Sequence, residues 1–338
     1  MLVQNKVFQN SIIAFSFLFV PLVALVCLGI GRYTLPPLRI VQTFFDALVK
    51  NVGDATAQTI IFKVRLPRII LALAVGAGLA CSGAAFQGLF SNPLASPDTL
   101  GVASGASFGA ALAMLFHANL LIIQFAALTF GLFSCFITYE IARSKRESTV
   151  IMIVLSGMVV SSLFQAFVSL IKYVADPEDE LPSITYWLMG NMSSVSYTSL
   201  LFGLPFIALG ILFIYAIRWR INILSLAEDE AKSLGINIKL MRLLIITASS
   251  LITASCVSMC GQIGWVGLLI PHIARMLCGS NNKTVVPLSI SFGGIFLAII
   301  DTFARSISSA EIPISILTSV IGAPFFIGLL RKTGGLSS

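Results

Sequence analysis

Apolar and polar positions divide the chain into ten apolar runs separated by short polar segments. A spanning helix needs about 20 mainly apolar residues. Runs near that length lie at 11–31, 67–90, 100–116, 120–142, 149–174, 200–217 and 240–260, followed by one ending near 279, then 284–303 and 314–330. The pattern predicts an all-α polytopic membrane protein with a single transmembrane domain over residues 1–338. Segment 32–64 carries Pro36, Pro37, Asp46, Lys50, Asp54 and Lys63; it is amphipathic and reads as too polar to span. Run 11–31 is too long for a signal-peptide core and lacks a small-residue cleavage site, so it reads as a retained first span.

The second run is dense in Gly, Ala and Ser. Membrane helices use such residues to bring backbones close, because lipid offers no hydrophobic contrast to drive association. Breaks follow at Asn92-Pro93-Leu94 and Pro97-Asp98, which the span pattern places at the inner mouth. Proline ends helices, and irregular backbone at membrane depth is tolerated where protein buries it or it lines a water path. A faint repeat is visible: Arg68 heads a run ending with Gly88 and Pro93, and Arg242 heads one ending with Gly267 and Pro271. The two start on opposite sides, as in inverted transporter halves.

Composition agrees: 57% of residues are hydrophobic and 10% charged, against about 25% charged in a globular protein. The formal charge of +7 sits mostly in short loops, where it orients the chain in the bilayer. No basic patch interleaved with exposed aromatics suggests nucleic acid. Ten spans put both termini on one side, and the basic residues assign that side to the cytoplasm. Segment 218–240 then lies inside and the acidic segment 175–185 outside.

Against this bias, Arg65, Arg68 and Arg305 fall at outer span ends. They either snorkel toward lipid headgroups or form an outward-facing rim that receives carboxylates of a partner protein, a task suited to the bidentate guanidinium. Inside, 225–235 reads as a short capped helix. Ser225 and Glu228 have capping-box spacing, Leu226, Ala227, Ala231 and Leu234 form an apolar stripe, and Gly235 is placed as the stop. That stripe packs on its own bundle, lies on lipid, or enters a groove on a cytosolic partner.

Candidate chemistry is sparse. The six cysteines lie in or beside apolar runs and read as packing residues; no metal or cofactor is expected. His117 and His272 have no companions at ligand spacing. Glu140 and Asp301 lie near span ends, whereas a proton-coupled carrier shows ionisable groups at mid-bilayer. No phosphate-cradling loop is present, so an ATPase, if one drives the protein, is another chain.

RLPR at 65–68, SGAAFQGLFSNPLASPDTLGVASGA at 82–106, GQIGWVGLLIPHIAR at 261–275 and EIPISILTSVIGAPFFIGLL at 311–330 resemble the FecCD-type permeases of ABC importers for iron-siderophores, haem and cobalamin. The resemblance covers nearly the whole chain. It implies a ten-span subunit of the type II importer fold in the bacterial cytoplasmic membrane, paired with a second permease (itself or a paralogue). Separate ATP-binding subunits sit below and an extracytoplasmic substrate-binding protein above. It implies docking at Arg65, Arg68 and Arg305, ATPase coupling through Leu226, Ala227, Ala231, Leu234 and Gly235, and gating near Asn92, Leu94, Ser148 and Thr149. Iron-siderophore is the expected cargo, with haem or cobalamin as alternatives. The rival classes are a secondary transporter or channel, and an intramembrane enzyme, for which no paired nucleophile and base is found.

Overall fold

The computed structural model describes residues 6–49, 54–143, 150–226, 228–308 and 310–332. Among them every regular element is helical. In chain order these are α1 (Lys6–Gly29), α2 (Pro37–Val49), α3 (Ala55–Gln58), a π-helical segment (Thr59–Arg65), α4 (Leu66–Leu89), a 3-10 turn (Pro97–Leu100), α5 (Val102–Leu115), α6 (Leu120–Ala142) and α7 (Val150–Val174). There follow α8 (Glu180–Leu188), α9 (Tyr197–Ile221), a 3-10 turn (Ile223–Ser225), α10 (Glu228–Ser233), α11 (Ile238–Cys260), α12 (Val266–Cys278), α13 (Asn282–Ile307) and α14 (Ile314–Lys332). Seven continuous helical stretches are long and apolar enough to cross a membrane; α5, α12 and α14 are shorter apolar helices. Those ten correspond to the ten apolar runs.

Several starts are written in the sequence. Asn119, Ser196, Asn237 and Asn281 each cap a following helix by accepting a backbone N–H. Asp54 does so for α3, accepting from Thr56 and Ala57. Those backbone donors, that of Ala57 foremost, together with Arg39 hold its carboxyl below the usual range. Segment 32–64 corrects the sequence reading. From Ala55 the chain is continuously helical to Leu89, so the second long helix begins twelve residues before Pro67.

Burial separates core from shell. Over an 18-residue apolar window of each stretch, 78%, 78% and 72% of residues are buried for those carrying α4, α11 and α13, against 22–33% for α1, α6, α7 and α9. The shell helices turn residues such as Leu18, Phe125, Val159 and Leu201 outward, an apolar exterior that requires lipid. The core packs through its small residues. A Cβ at Gly76 would collide with the carbonyl of Gly293, and one at Gly83 with that of Gly267. At these crossings α4 meets α13 and α12 backbone to backbone, which only glycine permits.

Two features place the sites. After the turn at Asn92 the chain folds back, and Pro97 packs on Gly267 beside the Leu79 carbonyl. Leu79 precedes the end of α4 by ten residues, about 15 Å along a helix. The 97–100 turn therefore lies alongside the middle of α4, with Asp98 exposed to the cavity it lines, whereas the sequence pattern places it at the mouth. Helix α14 is fixed at its first residues: Ile314 donates its N–H to Gly190 O (2.9 Å), Ser315 N–H to Met189 O (3.3 Å), and Ser315 Oγ to Gln262 O. Beyond them Ile316, Val320, Ile321, Phe325 and Ile327 are exposed.

Candidate functional site

The three arginines do meet at one end of the bundle, but not as an exposed rim. Arg65, Arg68 and Arg305 are 4%, 5% and 8% exposed. Arg68 donates through Nε to Asp301 Oδ1 at 2.8 Å and through one terminal nitrogen to both Glu311 oxygens at 2.9 and 2.8 Å. Arg305 faces the other Asp301 oxygen at 3.8 Å and donates to Cys27 O. Arg65 donates to the carbonyls of Leu28 and Tyr33. The loop after α1 lies over the cluster: a Cβ at Gly31 would fall 2.6 Å from the Arg65 guanidinium. The cause is electrostatic. A cation beneath this loop requires a partner, and α13 supplies Asp301, itself fully buried. Asp301 and Glu311 are thus the residues that sequence spacing missed as partners.

Deeper lies a cavity of 240 Å³ walled in part by Leu79, Ser96, Asp98, Ile263, Trp265 and Leu268. Its wall is mainly apolar and carries one carboxylate, Asp98. Trp265 adopts a left-handed backbone (φ 70°), uncommon outside glycine. This conformation brings its ring within 2.8 Å of where a Cβ on Gly322 would stand, and edge-on to Phe326 at 6.4 Å. Three leading N–H groups of α12 are engaged locally: Val266 donates to Gly264 O (2.9 Å), and Leu268 and Leu269 to Trp265 O (3.1 and 2.7 Å).

At the opposite end from the arginines, Asn92 closes a tight turn by accepting the Leu94 N–H at 2.9 Å, and both side chains are exposed. Ser148 and Thr149, the second expected gate segment, lie outside the described residues. The short helix expected at 225–235 is shorter than its sequence pattern. Residues 223–225 form a 3-10 turn, and α10 begins at Glu228. Leu226 and Leu234 are 45% and 58% exposed, while Ala231 is buried; Ala227 lies outside the described residues. Gly235 takes the left-handed conformation (φ 74°) that ends the helix. The stripe is therefore divided, with Ala231 against the bundle and the two leucines facing away.

A lipid-jacketed helical bundle, broken at half depth over a cavity, defines a multi-pass membrane transport protein of the permease class. Residues 18–332 match the FecCD transport family, and the chain belongs to that family of ABC importer permeases. The molybdate import system permease protein MolB of Haemophilus influenzae is 42% identical over 95% of this chain and 96% of its own length. A probable iron chelatin transport system permease protein of Helicobacter pylori is 40% identical over 83% and 85%. A solved ABC transporter described as of metal-chelate type, in an inward-facing conformation, superposes with a TM-score of 0.87 at 41% identity. That match covers 96% of this chain and 99% of the other.

Proposed function

We propose that this chain is the permease subunit of an importer that carries an iron-siderophore chelate across the cytoplasmic membrane. It pairs with a second permease, draws its work from a separate ATP-binding subunit, and receives cargo from an extracytoplasmic binding protein. Both termini face the cytoplasm. The binding protein meets the bundle end that Arg65, Arg68 and Arg305 organise, the ATPase meets Leu226, Leu234 and Gly235, and Asn92 and Leu94 sit at the inner gate.

The observation that carries the cargo assignment is the cavity. The chemistry of its wall, mainly apolar with a tryptophan and one carboxylate, suits contact with a weakly polar chelate rather than its full enclosure. It suits an oxyanion poorly, because Asp98 repels one. The specific counter-observation is the 42% identity to a molybdate permease protein, which makes an oxyanion the second reading. Import into proteoliposomes holding the full complex separates them, with ferric hydroxamate, haem, cobalamin and molybdate offered in turn. Saturable ATP-dependent uptake of the ferric chelate supports the assignment, and uptake of molybdate alone overturns it.

A further inference from the structure

At the Asn92 end, the chain leaving α9 is tied to the cavity wall through a run of side-chain hydrogen bonds. Asn222, the residue after α9, accepts through Oδ1 from the backbone N–H (2.8 Å) and the side-chain amide (2.9 Å) of Asn282. It donates to Asn281 Oδ1 at 2.9 Å. Asn282 Oδ1 accepts from Arg275 at 3.2 Å. Arg275, on α12, also donates to Gln87 Oε1 (3.3 Å), Ala84 O (3.2 Å) and Ser280 O (3.2 Å). Gln87 in turn donates to the carbonyl of Leu268, a wall residue of the cavity, at 3.2 Å. The close fit is built in at Gly88, where a Cβ would collide with Ile221, the last residue of α9, and stand 3.1 Å from Asn282.

Four helices, α4, α9, α12 and α13, therefore converge on the Arg275 guanidinium and the side-chain amides of Gln87, Asn222, Asn281 and Asn282. Asn222 is followed directly by the 3-10 turn and α10. Gln87 and Asn282 are each 3% exposed, so water cannot readily replace a bond that is pulled apart. When Asn222 shifts, moving Asn282 and Arg275 with it is less costly than leaving their groups unpaired. The planar guanidinium fixes the directions of its bonds and passes the displacement to α4 and α12 together. A contiguous hydrogen-bonded chain of this kind is a physical route for coupling between sites.

We infer that Asn222, Asn282 and Arg275 are positioning residues that transmit movement of the 222–238 segment to the cavity wall. The inference rests on the reading of α10 as the ATPase contact. The test needs no cargo. In the assembled permease–ATPase complex, Ser96→Cys places a thiol at the cavity, where its maleimide labelling is read with and without MgATP and vanadate; the native cysteines are buried. In the parent, nucleotide is expected to change the labelling rate by about five-fold or more. With Arg275→Gln, or Asn222→Ala with Asn282→Ala, the change is expected to fall below about two-fold while ATP hydrolysis continues. Arg275→Lys, which keeps the charge without the fork, is expected to give an intermediate response, and it carries the test if the other variants do not assemble. A full nucleotide response in the variants overturns the inference while leaving the ATPase contact intact. A parent that shows no response, or a Leu234→Asp variant that responds like the parent, overturns the reading of α10 and the inference with it.

Discussion

Replacing Arg68 by methionine tests the arginine cluster most directly. The substitution keeps an unbranched apolar stem and removes the guanidinium, leaving Asp301 fully buried with only Arg305, 3.8 Å away, as a cation. Breaking a buried pair by deleting one partner costs about 3–5 kcal/mol, because the other charge stays uncompensated. Glu311 is the lesser partner: its side chain is 26% exposed, so solvent screens the pair, and Glu311→Gln is expected to cost about 1 kcal/mol. Arg68→Met combined with Asp301→Leu removes that pair but leaves Arg305 without its carboxylate, and is expected to recover part of the loss. Thermal unfolding of the detergent-solubilised permease orders the series. Equal stability of Arg68→Met and wild type would refute the electrostatic account of this end, as would a double variant less stable than the single one. The same geometry makes charge reversal at Arg65, Arg68 or Arg305 a poor test of binding-protein docking by itself. Such variants disturb α1, α4 and α13 from within, so docking is better read beside a stability measurement on the same protein.

Gly76→Val places a branched side chain against the Gly293 carbonyl and is expected to cost about 1–3 kcal/mol from overpacking, read as a lowered unfolding temperature; an unchanged temperature would argue against the close crossing. Leu234→Asp alters an exposed position and is expected to leave stability within about 0.5 kcal/mol while reducing substrate-stimulated ATP hydrolysis in the complex. Normal stimulation would remove α10 from the coupling interface. Asp98→Asn removes the cavity's carboxylate and is expected to raise the ratio of molybdate to ferric-chelate uptake; a constant ratio would show that this group does not discriminate cargo.

The ten apolar segments were legible because lipid imposes a long, continuous signal. Run 120–142 coincides with α6, down to the Asn119 cap. Helix α3 and its π-helical continuation were not legible. Pro67 reads as a helix start, since its ring removes an N–H that a first turn does not use. Here the wider turns of Thr59–Arg65 precede it and the helix runs through. Polar residues of 32–64 hid the extension, although Asp54 was present as its cap. The arginine cluster was half legible. Spacing marked Arg65, Arg68 and Arg305 as anomalous, but Asp301 and Glu311 lie 233 and 243 residues beyond Arg68 in the chain, and no local pattern relates them. The depth of Asp98 was hidden for the same reason, since it depends on Gly267 admitting Pro97.

Helix α14, pinned by hydrogen bonds at Ile314 and Ser315, has the mechanics of a pivoted arm. Its 19 residues make an arm of about 28 Å, so a tilt of about 10° at the pinned end sweeps the far end through about 5 Å. Glycine at position 322 offers the Trp265 ring a smooth bearing surface, with no side chain to catch during the swing. Glu311, three residues before the pinned end, is held by Arg68. A tilt imposed at the pinned end would reach the far end as a displacement scaled by the helix's own length.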